Sequence, residues 1–146
     1  MDWPAALLAA VALPAGALAL GLWWRSRTGR VAAASDVSAV ADLGLAPGAL
    51  GSSATLVQFS TEYCSRCPST ARQLTSIAAD YAGVRHVELD LTRRPDLADR
   101  FRVLQTPTTL ILDARGSATA RIGGVPRAHD VRNRLDILTG SSHVQS

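Results

Sequence analysis

The most apolar part of the sequence is a run close to its start. Residues 3–24, WPAALLAAVALPAGALALGLWW, contain no charged side chain, and Trp23 and Trp24 close the run. As an α-helix, a run of this length spans about 33 Å at about 1.5 Å per residue, enough to cross a hydrocarbon core of about 30 Å. Paired tryptophans favour the membrane–water interface. We therefore predict one transmembrane helix over residues 3–24, with the lipid bilayer as its partner.

A cleaved signal peptide is the alternative interpretation of this run. Such a peptide carries a basic segment before an apolar core of about 7–15 residues. Here only Met1 and Asp2 precede the run, whereas Arg25, Arg27 and Arg30 follow it. This order favours a retained single-pass anchor in the cell membrane. Because basic flanks tend to stay in the cytoplasm, we expect a cytoplasmic soluble domain, with an extracytoplasmic one as the alternative.

Beyond the apolar run, strand and helix patterns alternate. Runs rich in β-branched residues predict strands at 54–59, 84–91, 108–113 and 117–123. Helical spacing of apolar residues predicts helices at 66–82, from Pro95 onward, and at 127–138. The first two strands should be parallel across a helical crossover, and the last two antiparallel. The chain divides into an anchor with its basic flank (1–30), a linker with a short helix that ends near Leu43 (31–49), a folded domain (50–140) and a tail (141–146).

Charge and composition argue against a nucleic-acid partner. The chain of 146 residues has 15 basic residues, all of them Arg, a formal net charge of +3 and an aromatic content of 5%. A nucleic-acid-binding domain would show a basic stripe interleaved with aromatic side chains. The arginines of the predicted domain are instead interspersed with Asp and Glu. We expect no nucleic-acid partner.

Both cysteines of the chain lie in the segment TEYCSRCPST, at Cys64 and Cys67. This spacing suits half of a zinc site, a structural disulfide or a redox pair. A structural zinc site needs four ligands. The remaining candidate ligands are His86, His129 and His143. Because these histidines are widely separated in the sequence, we expect no metal and no cofactor. The pair follows a predicted strand and precedes a predicted helix, a position that favours a redox motif.

At this point the sequence resembles the thioredoxin family, over about residues 50–140. The resemblance lies in the strand TLVQF before EYCSRC, the segment LDLTRRP, the TPT at the third strand and the pair Gly123–Gly124. It implies an α/β fold, a thioredoxin-like mixed sheet flanked by helices, here preceded by one N-terminal transmembrane helix. It also implies a membrane-tethered thiol–disulfide oxidoreductase that reduces disulfides of proteins or small molecules and receives electrons from a reductase.

Two other functions remain open at this stage. One is a non-enzymatic adaptor in which the fold presents only a binding surface, and the other is an extracytoplasmic thiol–disulfide exchange protein. Retention of Cys64, Cys67 and the dipeptide Thr106–Pro107 favours the enzyme over the adaptor.

The resemblance also implies roles for individual residues. Cys64, at a helix N-terminus that favours a thiolate, is the expected nucleophile, and Cys67 is the expected resolving thiol. Pro107 resembles the family's cis-proline that faces the cysteine pair. The expected substrate-binding residues are Tyr63, Ser65, Arg66, Thr106 and Pro107.

Two departures from the family pattern concern proton transfer. Gln58 stands where the family usually has a buried Asp, and Glu88 where it usually has a Lys. We expect the strand that carries Glu88 and Asp90 to be central and covered on both faces, which would desolvate a carboxylate and raise its pKa. We therefore predict that Glu88 is the general base that deprotonates Cys67. The alternative is a solvated Glu88 paired with a nearby Arg such as Arg85.

Overall fold

The computed structural model of the chain describes residues 3–33 and 39–140. The helices are α1 (Trp3–Arg27), α2 (Ala39–Leu43), α3 (Cys67–Ala79), α4 (Pro95–Arg100) and α5 (Ala128–Thr139), with a short 3₁₀ turn at Pro47–Ala49. The strands are β1 (Val31–Ala33), β2 (Ala54–Ser60), β3 (Val84–Asp90), β4 (Thr108–Asp113) and β5 (Ala118–Gly123).

The strands form one mixed sheet in the order β1-β5-β4-β2-β3. β2 and β3 are parallel and joined through α3, whereas β4 pairs antiparallel with both β2 and β5. The predicted α/β fold, with a parallel first pair and an antiparallel last pair, is confirmed. Every residue of β2 is buried, which makes it the strand around which the sheet packs.

Two hydrophobic cores cover the two faces of the sheet, because alternate side chains of a strand point to opposite faces. On one face, Leu56 of β2 packs with Leu74 of α3 and Leu135 of α5. On the other face, β2 contributes Phe59, whose ring centroid lies 5.6 Å from that of Phe101 at the end of α4. β2 is therefore held from both sides, and its carboxyl end leads directly into the cysteine segment.

The expectation that β3 is a central strand was wrong. Within the residues that the structure describes, β3 pairs only with β2 and forms the edge of the sheet. Arg85 and Glu88 of β3 are exposed as a result. The order of strands is a long-range property that the local pattern of one strand does not determine.

The opposite edge contains a strand that was not predicted. Val31–Ala33, in the stretch expected to be a linker, forms β1 and pairs antiparallel with β5. The predicted short helix is present as α2, whereas its expected start at residues 35–36 lies outside the described residues, as does the tail 141–146.

Helix α1 covers the predicted apolar run and continues to Arg27. Its residues are exposed along almost the whole length, Pro14 lies inside it, and its length and composition suit it to cross a membrane. A signal sequence shares both properties. The structure thus provides a helix long enough to span a bilayer directly before the sheet.

Candidate active site

Cys64 and Cys67 are joined by a disulfide bond, with their Cα atoms 5.4 Å apart. Cys67 is the first residue of α3 and is only 2% exposed, whereas Cys64 is half-buried in the preceding turn. The N–H of Cys64 donates to the carbonyl of Thr61, and the N–H of Cys67 donates to that of Cys64. Pro68 follows in the first turn of α3, where a missing N–H breaks no helical hydrogen bond. Of the two cysteines, Cys64 is the more accessible.

The start of α3 favours negative charge near the pair. The first turn of a helix leaves N–H groups without partners in the helix, and the helix dipole adds positive potential there. The first turn of α3 contains no acidic residue that would oppose this potential. α3 begins at Cys67, one residue after the predicted start at 66, and Cys64 lies in the turn just ahead of it. The unpartnered N–H groups and the helix dipole both favour the thiolate of a reduced pair over its thiol.

A groove of about 450 Å³ opens beside Cys64. The five residues predicted to bind substrate all line it: Tyr63, Ser65, Arg66, Thr106 and Pro107. The Thr106–Pro107 peptide is cis, and the carbonyl of Pro107 accepts a hydrogen bond from Gly124 at 2.8 Å. Tyr63 is 86% exposed at the rim, where a hydrogen bond to Glu62 raises the pKa of its hydroxyl. The structure therefore gathers the predicted residues around one concave surface, and their roles there remain predictions.

The groove also includes residues that the sequence did not indicate. Thr28, directly after α1, and Gln105 both line it. Thr28 lies 36 positions before Cys64 in a stretch interpreted as the basic flank of the anchor, so no local pattern connected it to the site.

Gln58 forms a buried polar contact with the second cysteine. Its side chain is fully buried, and its Nε2 donates to the carbonyl oxygen of Cys67 at 3.0 Å. This contact fixes the amide orientation, so Oε1 must accept from the Nε2–H of His86 across 3.1 Å. The Nδ1 of His86 then accepts a hydrogen bond from the hydroxyl of Thr75 at 3.0 Å. A neutral imidazole with its proton on Nε2 satisfies every group in this chain of hydrogen bonds.

His86 is a further contributor to the site that sequence reasoning missed. Desolvation by burial lowers the pKa of its imidazole, and the nearby carboxylate of Glu88 partly offsets this. The sequence did contain a signal for this role. Side chains alternate between the two faces of a strand, so His86 lies on the same face of β3 as Glu88. A histidine on the parallel neighbour of β2 was a candidate partner for a buried Gln58.

The environment of Glu88 differs from the expected one. Glu88 is exposed on an edge strand and lines a shallow pocket with Ser60, Thr61, Glu62 and Asp90. The desolvation on which its predicted role as general base depended is therefore missing. The alternative partner, Arg85, donates instead to the carbonyl of Gly48. The catalytic role of Glu88 stays a prediction.

Comparisons with known proteins agree with the observed fold. The family model described as Thioredoxin matches residues 49–136. Among solved structures, chloroplastic thioredoxin z is 24% identical, with a TM-score of 0.54 over 61% of this chain and 80% of that one. Oxidised mitochondrial thioredoxin 3 from Saccharomyces cerevisiae is 23% identical, with a TM-score of 0.51 over 59% and 79% of the two chains. Thioredoxin NaTrxh from Nicotiana alata is 23% identical, with a TM-score of 0.53 over 60% and 75%. At these identities the solved structures support the fold.

The lowered pKa of His86 predicts a specific dependence of stability on pH. The unfolded chain takes up a proton on His86 as the pH falls through about 6.5, whereas the folded chain does so only at lower pH. The unfolded state then binds more protons, so this contribution to the free energy of unfolding is present above pH 6.5 and decreases as the pH falls below it. Urea unfolding of the oxidised protein between pH 7.5 and 5 measures the slope.

The variant His86→Gln should lose that part of the slope, because glutamine does not titrate in this range, while its amide can still donate to Gln58. His129→Gln is the matched control, because His129 is an exposed histidine on α5. It should retain the slope that His86 contributes. Equal slopes in the wild type and His86→Gln would contradict the assignment of a buried, neutral His86.

Proposed function

Because the chain belongs to the thioredoxin family by the match over residues 49–136, we propose that it is a membrane-tethered reductase of disulfides. The family and the Cys64–Cys67 pair make the chain a thiol–disulfide oxidoreductase. Its attachment to the membrane, the direction of electron transfer and its substrates belong to the proposal. The observation that carries it is the groove in which half-buried Cys64 lies beside Pro107 and the other predicted binding residues.

The difference in burial between the two cysteines supports an order of events. The Cys64 thiolate attacks one sulfur of a substrate disulfide and forms a mixed disulfide, and the first substrate thiolate leaves. The Cys67 thiolate then attacks the sulfur of Cys64, the second substrate thiolate leaves, and the Cys64–Cys67 disulfide forms. Two electrons pass to the substrate, and its two thiolates take up two protons. A reductase that donates two electrons returns the pair to the dithiol.

The groove suits an extended disulfide-bearing segment. The Thr106–Pro107 backbone faces the same space as Cys64, so a substrate backbone laid along it would present its sulfur to Cys64. Tyr63 offers an exposed aromatic surface at the rim, and Ser65 and Arg66 offer a hydroxyl and a positive charge. A protein segment fills such a groove, and a small-molecule disulfide would use the part next to Cys64.

Helix α1 supports the proposed attachment to the membrane, and the charges that follow it support a cytoplasmic location of the domain. Arg25, Arg27 and Arg30 follow the apolar run, and basic residues of this kind are retained on the cytoplasmic side. We therefore propose a single-pass protein of the cell membrane with its thioredoxin domain in the cytoplasm, with an extracytoplasmic domain as the alternative. A cytoplasmic domain fits the direction of a reductase, since that compartment keeps thiols reduced.

The assigned roles of the cysteines predict different trapping by two variants. Cys67→Ser should accumulate mixed disulfides with substrate and should lose turnover, because no second thiol resolves them. Cys64→Ser should form few mixed disulfides, because the remaining Cys67 is buried. Non-reducing electrophoresis and a disulfide-reduction assay measure both effects, with the double serine variant as the blank. Stronger trapping by Cys64→Ser would reverse the two roles.

The predicted role of Glu88 is tested by the rate of the resolving step. If Glu88 accepts the proton of Cys67, Glu88→Gln should slow release of the second substrate thiol roughly 10²-fold, a typical contribution of a general base, and leave attack by Cys64 nearly intact. Glu62→Gln is the matched control, since Glu62 is exposed and lines the same shallow pocket. Rapid-mixing kinetics separate the two steps. An unchanged rate and pH profile of resolution would remove Glu88 from the mechanism.

The sidedness of the domain is tested with one engineered cysteine. Ala114 is exposed in the turn between β4 and β5, so Ala114→Cys in the double serine background offers a single accessible thiol. A membrane-impermeant maleimide should leave it unlabelled on intact cells and label it after lysis. Labelling on intact cells would establish the extracytoplasmic alternative.

A further inference from the structure

The connection between α1 and the sheet is short and closely packed. α1 ends at Arg27 and β1 begins at Val31, and the N–H of Gly29 donates to the carbonyl of Gly123 at 2.8 Å. Gly29 has a φ of +81°, and a Cβ added there would lie 2.5 Å from the carbonyl oxygen of Val125. Only glycine fits this approach without displacing the backbone of the domain. The end of α1 is thus docked on the domain through residues that the sequence assigned to its basic flank.

The docked end of the anchor reaches the active-site groove. Thr28 lines the groove that contains Cys64, and it packs so closely on Gly124 that a Cβ added there would meet the Cγ2 of Thr28 at 2.6 Å. A second cavity, also of about 450 Å³, lies between the tryptophans of α1 and the domain. Thr28 and Gln105 line both cavities. The redox groove and the tryptophan end of the anchor are therefore neighbours.

The tryptophan end of the anchor marks the level of the membrane surface. Trp23 and Trp24 close the apolar run, and indole rings of transmembrane helices lie among the lipid headgroups. The guanidinium of Arg27 lies 4.2 Å from the centroid of the Trp23 ring. On the domain side, Leu104 is 95% exposed and lines a pocket that shares Gln105 with the tryptophan cavity. An exposed leucine in the pocket next to the tryptophan cavity is suited to contact with lipid.

From these contacts we propose that the groove operates at the membrane surface and that its substrates are disulfides in juxtamembrane segments of integral membrane proteins. Such a segment is confined to the layer in which Cys64 lies, which raises its effective concentration at the groove. A large soluble protein must instead approach a groove that has a bilayer on one side. The inference rests on the proposed function, and the chemistry is the two-electron, two-proton exchange described above.

The test offers one disulfide loop in three positions to the full-length, pre-reduced protein in lipid nanodiscs. The rate of reduction of the loop is measured for each position. The loop is placed a few residues beyond a transmembrane helix, at the end of a flexible spacer of about 40 residues on the same helix, or in a free peptide. The spacer extends the loop by about 35 Å on average. We expect the juxtamembrane loop to be reduced about tenfold faster than the spaced loop at equal concentration, because of its confinement.

A matched variant moves the domain away from the bilayer. Seven helix-forming residues inserted between Trp24 and Arg25 lengthen α1 by about 10 Å and keep the residues that dock it. The variant should reduce the free peptide at the wild-type rate and lose the preference for the juxtamembrane loop. Equal rates for the two anchored loops in the wild type, or an unchanged preference in the variant, would overturn the inference. Reduction of none of the three substrates would overturn the proposed function, and the inference with it.

A second measurement reports the position of Cys64 without thiol–disulfide exchange. A maleimide attached to a lipid headgroup should alkylate Cys64 of the reduced wild type several-fold faster than that of the insertion variant. A soluble maleimide should react equally with both, which also checks that the variant is folded. Equal reaction of both proteins with the lipid-attached reagent would show that the groove does not lie at the membrane surface.

Discussion

The hydrogen bond from Gln58 to the carbonyl of Cys67 couples the middle of the sheet to the redox pair, and much of the site depends on it. A fully buried amide must have both of its ends satisfied, because each unpaired group costs roughly 1–3 kcal/mol. The Nε2 of Gln58 is satisfied by the first residue of α3, which ties the helix start to β2. The Oε1 needs a donor, and the edge strand supplies one in His86. The start of α3, the tautomer of His86 and the alignment of β2 with β3 therefore support one another.

An amide at this position changes the electrostatics of the redox pair. A buried carboxylate beneath the cysteines would disfavour a thiolate on Cys67 by repulsion and would offer a place for its proton. Gln58 does neither, since an amide carries no charge and is not a base at physiological pH. The neighbouring His86 has a lowered pKa and its Nδ1 already accepts from Thr75, so it remains neutral and engaged. The region below the pair is thus neutral, and the charges that remain close by are on the surface of the domain.

Local sequence patterns were sufficient to predict most of the helices and strands and the cysteine pair. They were insufficient to predict features that depend on the order of strands in the sheet. The run TTLILD predicted the bounds of β4 because its first five residues are β-branched or apolar and a turn follows at Asp113–Gly116. By contrast, Val31–Ala33 carries no strand signal of its own and forms β1 only because the edge of β5 is available. The edge position of β3 follows from the same long-range pairing, and it explains why Glu88 is exposed. The roles of His86 and Thr28 depend on contacts across 28 and 36 positions of sequence, which no local period encodes.

The strand that the sequence did not predict has the largest consequence for function. A flexible linker would allow the domain to sample a hemisphere about its anchor, and membrane attachment would then only raise its concentration near the bilayer. With β1 paired to β5 and Gly29 bonded to Gly123, the sheet continues almost directly from α1, so a membrane-spanning α1, as proposed, would fix the orientation of the domain as well as its distance from the bilayer. Glycine at position 29 is required for that orientation, because any Cβ would collide with the backbone at Val125. In the proposed membrane-tethered protein, this docking makes membrane attachment a constraint on which disulfides reach Cys64.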